Sequence, residues 1–184
     1  MKTRVLLAGL LVGAVLLFST TGCEKLKKKL FKAFTTGAVT ENFTIPVITD
    51  TTVKADWGTI NNPYNIDSII KAETGNLFSL NDIKKITVDE VKLELTDADA
   101  DNNFANFREG YCGFYTDVNT TPVEIATGVN PDVYSSTWML PPIADINLKD
   151  YLSGHSLTYL LAGKARRATN KVLHGKIHVK FHVE

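Results

Sequence analysis

Asp97-Ala98-Asp99-Ala100-Asp101-Asn102-Asn103 places oxygen-bearing side chains on alternate residues, as in the first half of a calcium-binding loop. Calcium takes about six to eight hard oxygens at about 2.3–2.6 Å, and closely spaced carboxylates on one loop can supply several of them. The second half of such a loop is missing. Counted from Asp97, the position that usually holds Gly is Asn102, and the position that needs a bidentate Glu is Arg108, with Glu109 one residue late. Asn tolerates the left-handed turn that Gly usually fills, so the absent bidentate ligand weighs most. Two readings of Asp97, Asp99, Asp101 and Asn103 follow. One is a calcium site. The other is a polar turn whose Asp and Asn side chains bond nearby backbone amides while Phe104 and Phe107 pack back onto the core.

His174, His178 and His182 recur every four residues, which on a helix would put three metal ligands on one face. The intervening residues refuse a helix. Ile177, Val179, Phe181 and Val183 alternate strictly, so the segment reads as a strand with the histidines on its other face beside Lys176 and Lys180. Histidines four apart on a strand lie roughly 13 Å from each other, whereas zinc–nitrogen bonds are about 2 Å, so one zinc cannot bridge them. A solvated, weakly pH-responsive face is expected.

Catalytic signatures are missing: there is no GxSxG elbow, no phosphate-cradling glycine loop, no HExxH, and no cysteine with an obvious histidine nearby. Asp89, Glu90 and Glu94 could still be gathered by folding into a carboxylate pair. Cys112, among Tyr111, Phe114 and Tyr115, reads as a buried strand thiol that behaves as a small hydrophobe. Lys164, Arg166, Arg167, Lys171 and Lys176 form a basic cluster that could be a solvated turn or a contact for lipid headgroups or an acidic partner. Tyr134–Ile143, with Trp138, Met139 and Leu140 ahead of Pro141-Pro142, is apolar but poor in strand signals. It could cap an open end of the core or form an exposed binding edge.

The start of the chain carries a different chemistry. Met1–Arg4 is short and basic, Leu6–Phe18 is an apolar run too short to span a bilayer comfortably, and small residues precede Cys23, all marks of an export signal. Thr20-Thr21-Gly22-Cys23 resembles a lipobox, although most lipoboxes carry an aliphatic residue where Thr20 stands. The resemblance implies cleavage after residue 22 and a Cys23 thiol carrying diacylglycerol. Glu24 rather than Asp after the cysteine implies the outer membrane, and the lack of an acidic cluster there implies a periplasm-facing position. Lys25, Lys27, Lys28, Lys29 and Lys32 then make residues 23–38 a basic tether. Leu26, Leu30 and Phe34 recur at helical spacing, so the tether is either a short helix laid on lipid or a solvated spacer.

About 160 residues remain beyond the signal, enough for one domain with a core of its own. From Thr35 to Glu184 there are 13 Lys and Arg against 19 Asp and Glu, so an acidic body follows a basic stalk, and nucleic acid is excluded as a partner. Phe43, Ile45 and Val47 alternate, with Pro46 marking an edge, and Val53–Ile60 reads as a partner for that strand. Ile66, Ile69 and Ile70 predict a helix over Asn65–Glu73 ended by Gly75, and Ser79–Asp82 starts another. Ile86–Thr96 alternates most cleanly; Tyr111–Thr116 and Val123–Thr127 continue, and Leu148–Leu152 could add a helical turn. Leu157–Ala165 and Lys176–Glu184 read as a closing hairpin through Arg166–Lys171. The expected fold is all-β: an antiparallel β-sandwich of about 7–8 strands over residues 39–184, with two or three short helices and a closed barrel as the alternative.

In its signal, in Val91–Phe107 and in Leu157–Glu184, the chain resembles small envelope lipoproteins of the Bacteroidota type. That resemblance implies a scaffold, and a scaffold does not by itself imply a function. The expected function is a lipid-anchored, non-catalytic binding or assembly module of the envelope, with the membrane and an envelope protein as partners and no cofactor. The alternative is a sandwich that holds calcium or a hydrophobic ligand.

Overall fold

Period-two patterning sets the strands. In β9 (Leu173–Val183) Leu173, Gly175, Ile177, Val179, Phe181 and Val183 are buried while His174 and Lys176 face solvent. β4 (Ile86–Leu95) buries Ile86, Val91, Leu93 and Leu95; a bulge between Val88 and Glu90 shifts its phase by one residue. A computed structural model describes residues 30–184, of which Ala33–Glu184 forms one compact unit; the expected signal 1–22, Cys23 and Lys25, Lys27, Lys28 and Lys29 lie outside the described residues.

The unit is an all-β antiparallel sandwich of nine strands. In the first sheet β9 is central, flanked on one side by β1 (Phe34–Thr35) and β2 (Val39–Ile45) and on the other by β4, which carries β7 (Thr137–Leu140) at the edge. The second sheet runs β3 (Lys54–Pro63), β8 (Ser156–Ala165), β5 (Phe107–Thr116), β6 (Val123–Val129). Helix α1 (Ile66–Glu73) starts where the Asn65 side chain accepts from the Ser68 amide and ends where Gly75 and Asn76 turn left-handed; it buries Ile66 and Ile70. Three 3-10 turns complete the elements, at Leu80–Asp82, Phe104–Asn106 and Tyr151–Ser153.

Four expectations are corrected. β8 and β9 are no hairpin: β8 lies between β3 and β5, β9 between β2 and β4, so both edges of each are occupied and the link between them crosses from one sheet to the other. β3 pairs β8 rather than β2, because the chain changes sheet after Pro46. The sandwich begins before residue 39, since Phe34 and Thr35 pair with Val183 and His182; Phe34 therefore belongs to a strand and not to a helical stripe. Tyr134–Ile143 supplies edge strand β7, with Trp138 and Leu140 inward and Met139 outward, and its continuation meets β6 through the Thr127 amide to the Pro141 carbonyl and the Ile143 amide to the Ile125 carbonyl.

After β2 only the β5–β6 connection stays within one sheet. Segments 46–53, 96–106, 130–136 and 166–172 therefore meet at one end, called here the loop end. The chain joins the sandwich at the other, the base, where Phe34, Ile86 and Val183 lie side by side. Under the loop end Trp57 meets Phe107 edge-on at 5.0 Å, Phe107 meets Phe104 at 6.4 Å, and Phe104 meets Trp138 at 5.7 Å. Gly163, Gly110 and Gly128 stand opposite one another on β8, β5 and β6, and this floor without side chains lets Trp57 lie on Gly163, Trp138 on Gly110 and Pro141 on Gly128. No helix among the described residues is long and apolar enough to cross a membrane.

Candidate functional site

Four loops that change sheet leave many main-chain groups without ladder partners, and buried groups of that kind must be satisfied. Asparagines do this at the loop end. Asn106, 3% exposed, accepts from the Asn103 amide and donates to the carbonyls of Asp101 and Ala168. Asn102 and Asn170 bind each other across two loops, at 2.7 Å between side chains and 3.0 Å from the Asn170 amide. Asn130 donates to the Phe104 carbonyl, and Thr169 exchanges hydrogen bonds with the Ile48 main chain. The Arg166 guanidinium donates to the carbonyls of Ala105 and Asn130, and Arg167 grips both oxygens of Asp132 while reaching the same Ala105 carbonyl. A fully paired polar network of this kind makes a rigid platform.

The residues singled out by spacing occupy this platform in unexpected roles. Asp99 caps its own turn by accepting from the amides of Asp101 and Asn102, and its other oxygen meets the Lys171 ammonium at 2.7 Å. That ammonium, together with Asn102, holds the Asp99 carboxyl well below the usual carboxylate range. Asp97 accepts from the His174 amide and ring, and Asn103 caps the 3-10 turn through the Ala105 amide. Asp97, Asp99, Asp101 and Asn103 thus do not converge on a point, and among the described residues no three His, Cys, Asp or Glu stand where one ion could be held. Within the structure Asp99 closes a turn and Asn103 forms a cap.

Beside the turn lies an open pocket of about 330 Å³ whose lining includes Asp101, Tyr134 and the Arg167–Asp132 pair. A second groove of about 430 Å³ crosses the outer face of the second sheet, over Gly113, Leu160 and Ala162, with Lys54 stacked on the Tyr111 ring at 3.6 Å. Cys112 lies beneath that groove, fully buried, and burial pushes its thiol up. Glu90 pairs with Lys180 and Glu94 with Lys92, so neither is held as a carboxylate pair with Asp89. The basic cluster does not stand free as a set: Arg166, Arg167 and Lys171 are engaged inside the platform.

The histidines stand on the outer face of the first sheet, as their alternation predicts. His178 is the enclosed one, with Nδ1 2.9 Å from the Thr40 hydroxyl and Nε2 3.5 Å from Glu94, and with Lys92 and Lys176 nearby. Burial first and the Lys92 charge second lower its pKa from 6.5. The unfolded chain then binds a proton that the folded one resists, so this residue's contribution is present above the unfolded pKa and is lost as pH falls through the folded value. The melting temperature is expected to decline as pH drops below 6.5, and His178→Gln to flatten that first decline in a melting series. A decline of equal size in the variant would refute the assignment.

No family model matches the chain, and no curated protein matches it. Among solved structures, the crystal structure of a decameric BFDV capsid protein is similar at a TM-score of 0.30 and 10% identity, over 83% of this chain and 100% of that one, a likeness too low to carry an argument. The sequence reading missed Asn102, Asn106 and Asn130 as structural residues. The signal available was their density in segments expected to be solvated.

Proposed function

We propose that this chain is a lipid-anchored envelope protein whose sandwich serves as a non-catalytic binding or assembly module, with the loop end as its contact surface. The observation that carries the reading is the polarity of the fold. The chain joins the sandwich at the base, at Phe34, and the pre-organised platform of crossing loops occupies the far end. Between Cys23 and Ala33 there is room for a link of at most about 35 Å fully extended, so an acyl group on Cys23 would keep the base close to its membrane. Lys25, Lys27, Lys28, Lys29 and Lys32 would each add about 1 kcal/mol at an anionic leaflet. The signal pattern favours the outer membrane and its periplasmic side. At the loop end Val133, 64% exposed, and Tyr134 project into solvent beside Asp132, a mixed apolar and charged surface of the kind that rigid binding modules use.

Two measurements test this. Mass spectrometry of the membrane-extracted protein should find Cys23 acylated; an unmodified thiol overturns the placement. Mild crosslinking in membranes followed by pull-down should recover an envelope partner with the native chain and lose it with Val133→Asp. Recovery of no partner, or of the same partner with the variant, removes the loop end as a contact surface.

A further inference from the structure

The sandwich is bonded along one side and open along the other. Past β7 the chain joins β6 through main-chain bonds, whereas β2 and β3, the edge strands of the opposite side, share no main-chain hydrogen bond among the described residues. The Asn62 side-chain amide, donating to the Glu41 carboxylate, crosses this seam. Two tyrosines lie in the interior near it. Tyr159, on β8 opposite Ile60 of β3, is fully buried, and Tyr64, one residue past β3, is 8% exposed. Neither hydroxyl has a hydrogen-bond partner among the described residues.

The two hydroxyls share one neighbourhood. Burial first, and then the charges of Cys112, Tyr64 and Glu41, push the Tyr159 phenol up, so all three groups lie within electrostatic reach of it. The hydroxyl of buried Thr36 stands beside the Tyr64 phenol and accepts from the Phe181 amide at 3.1 Å, which leaves its own proton free to donate. Packing locks the rings: Tyr64 meets Phe181 at 5.7 Å, Phe181 meets Phe114 at 6.4 Å, and Phe114 meets Tyr159 at 6.2 Å.

A buried phenol ordinarily finds a partner, and native folds avoid one left alone. Ring volume by itself would be met by Phe, which the core uses at Phe104, Phe107, Phe114 and Phe181. Burial keeps both phenols neutral, so they offer a cation no counter-charge, and Glu41 nearby disfavours an anion. Hydroxyls that both donate and accept suit a neutral molecule that does the same. In a close-packed interior the smallest such molecule is water, which typically makes about three hydrogen bonds when buried. We propose that the interior behind the β2–β3 seam is a hydration site, in which an ordered water bridges the Tyr64 and Tyr159 phenols with the Thr36 hydroxyl as its third partner. The site does not rest on the reading of the loop end as a contact surface.

Urea denaturation of the full chain in detergent, as native, Tyr64→Phe, Tyr159→Phe and the double variant, reads the sign of the effect. Each Phe takes one partner from the water, so each should lower the folding equilibrium constant roughly three- to tenfold. The double variant should lose less than the two single losses combined, because one water is held by both groups. An unpaired hydroxyl predicts the reverse, since removing it relieves the cost of burying it. Phe keeps the ring, and an unchanged urea slope will show each variant folded. Magnetic relaxation dispersion of solvent oxygen, which counts long-lived internal waters, should find one fewer in the double variant. Single variants as stable as the native chain, or more so, overturn the proposal. An unchanged water count does the same, because the phenols would then bond each other or the chain directly.

Discussion

Gly163→Ala is expected to cost about 3 kcal/mol or more of stability, well above the usual effect of adding one methyl group to a strand. A Cβ at Gly163 would lie 1.9 Å from Cζ2 and 2.4 Å from Cη2 of Trp57, inside the indole. The ring cannot retreat: Trp57 is fully buried, is held on a bulge between Asp56 and the positive-φ Gly58, and meets Phe107 edge-on. The neighbouring Gly110 has the same relation to Trp138 at 2.7 Å, so the expected order of damage is Gly163→Ala before Gly110→Ala. Urea denaturation of the native chain, Gly163→Ala, Trp57→Leu and the double variant gives the coupling. Trp57→Leu alone leaves a cavity, but in the double variant the new methyl enters space the indole has vacated, so the summed single losses should exceed the double loss by more than 1 kcal/mol, on the order of coupling between touching residues. A single variant within about 1 kcal/mol of the native chain would show that the floor is not tight.

Asn106→Ala should be the most damaging substitution in the loop platform. It strips partners from the Asn103 amide and from the carbonyls of Asp101 and Ala168 in one step. Buried groups left unpaired cost about 1–3 kcal/mol each before water or relaxation recovers part of it, so a net loss of about 3 kcal/mol is expected. Asn106→Asp should be worse at neutral pH, because a carboxylate sets an acceptor against two carbonyls, and the gap between the variants should narrow in acid as that carboxyl gains a proton. Chemical denaturation at pH 7 and pH 4.5 reads both effects. Hydrogen exchange should quicken at Asp101–Asn103 while the β5–β6 pairs stay protected. Equal stability of the two variants at pH 7 would mean that the amide donors do not hold these loops.

Alternation told which side of each strand is buried, and it did so reliably for β4, β5 and β9. It could not tell which strands are neighbours, because inward-facing positions look the same whichever sheet a strand joins. Leu157–Ala165 and Leu173–Val183 therefore suggested a hairpin, whereas each is central in its own sheet. Caps were legible where side chain and target are close in sequence, as at Asn65 and Ser79. The platform was not, since Asn102 meets Asn170 and Arg166 meets Ala105 across gaps of more than sixty residues. Polar residues in a loop read as solvated until the crossing of the loops creates buried backbone for them to satisfy. Tyr134 was noted as part of an apolar stretch, but its place beside Asp101 and Arg167 depends on that crossing. The glycine floor did leave a trace, because glycines inside strand patterns signal close approach of another group.

β9 follows every other strand of the sandwich in the chain and yet lies in the middle of its sheet, with β1 and β2 on one side and β4 on the other. Translation therefore delivers the central member last. Until residues 173–183 emerge, β1 and β2 have no ladder partner and β4 has only the four residues of β7. Pairings across so much sequence form slowly. The first sheet therefore cannot close until synthesis has passed β9.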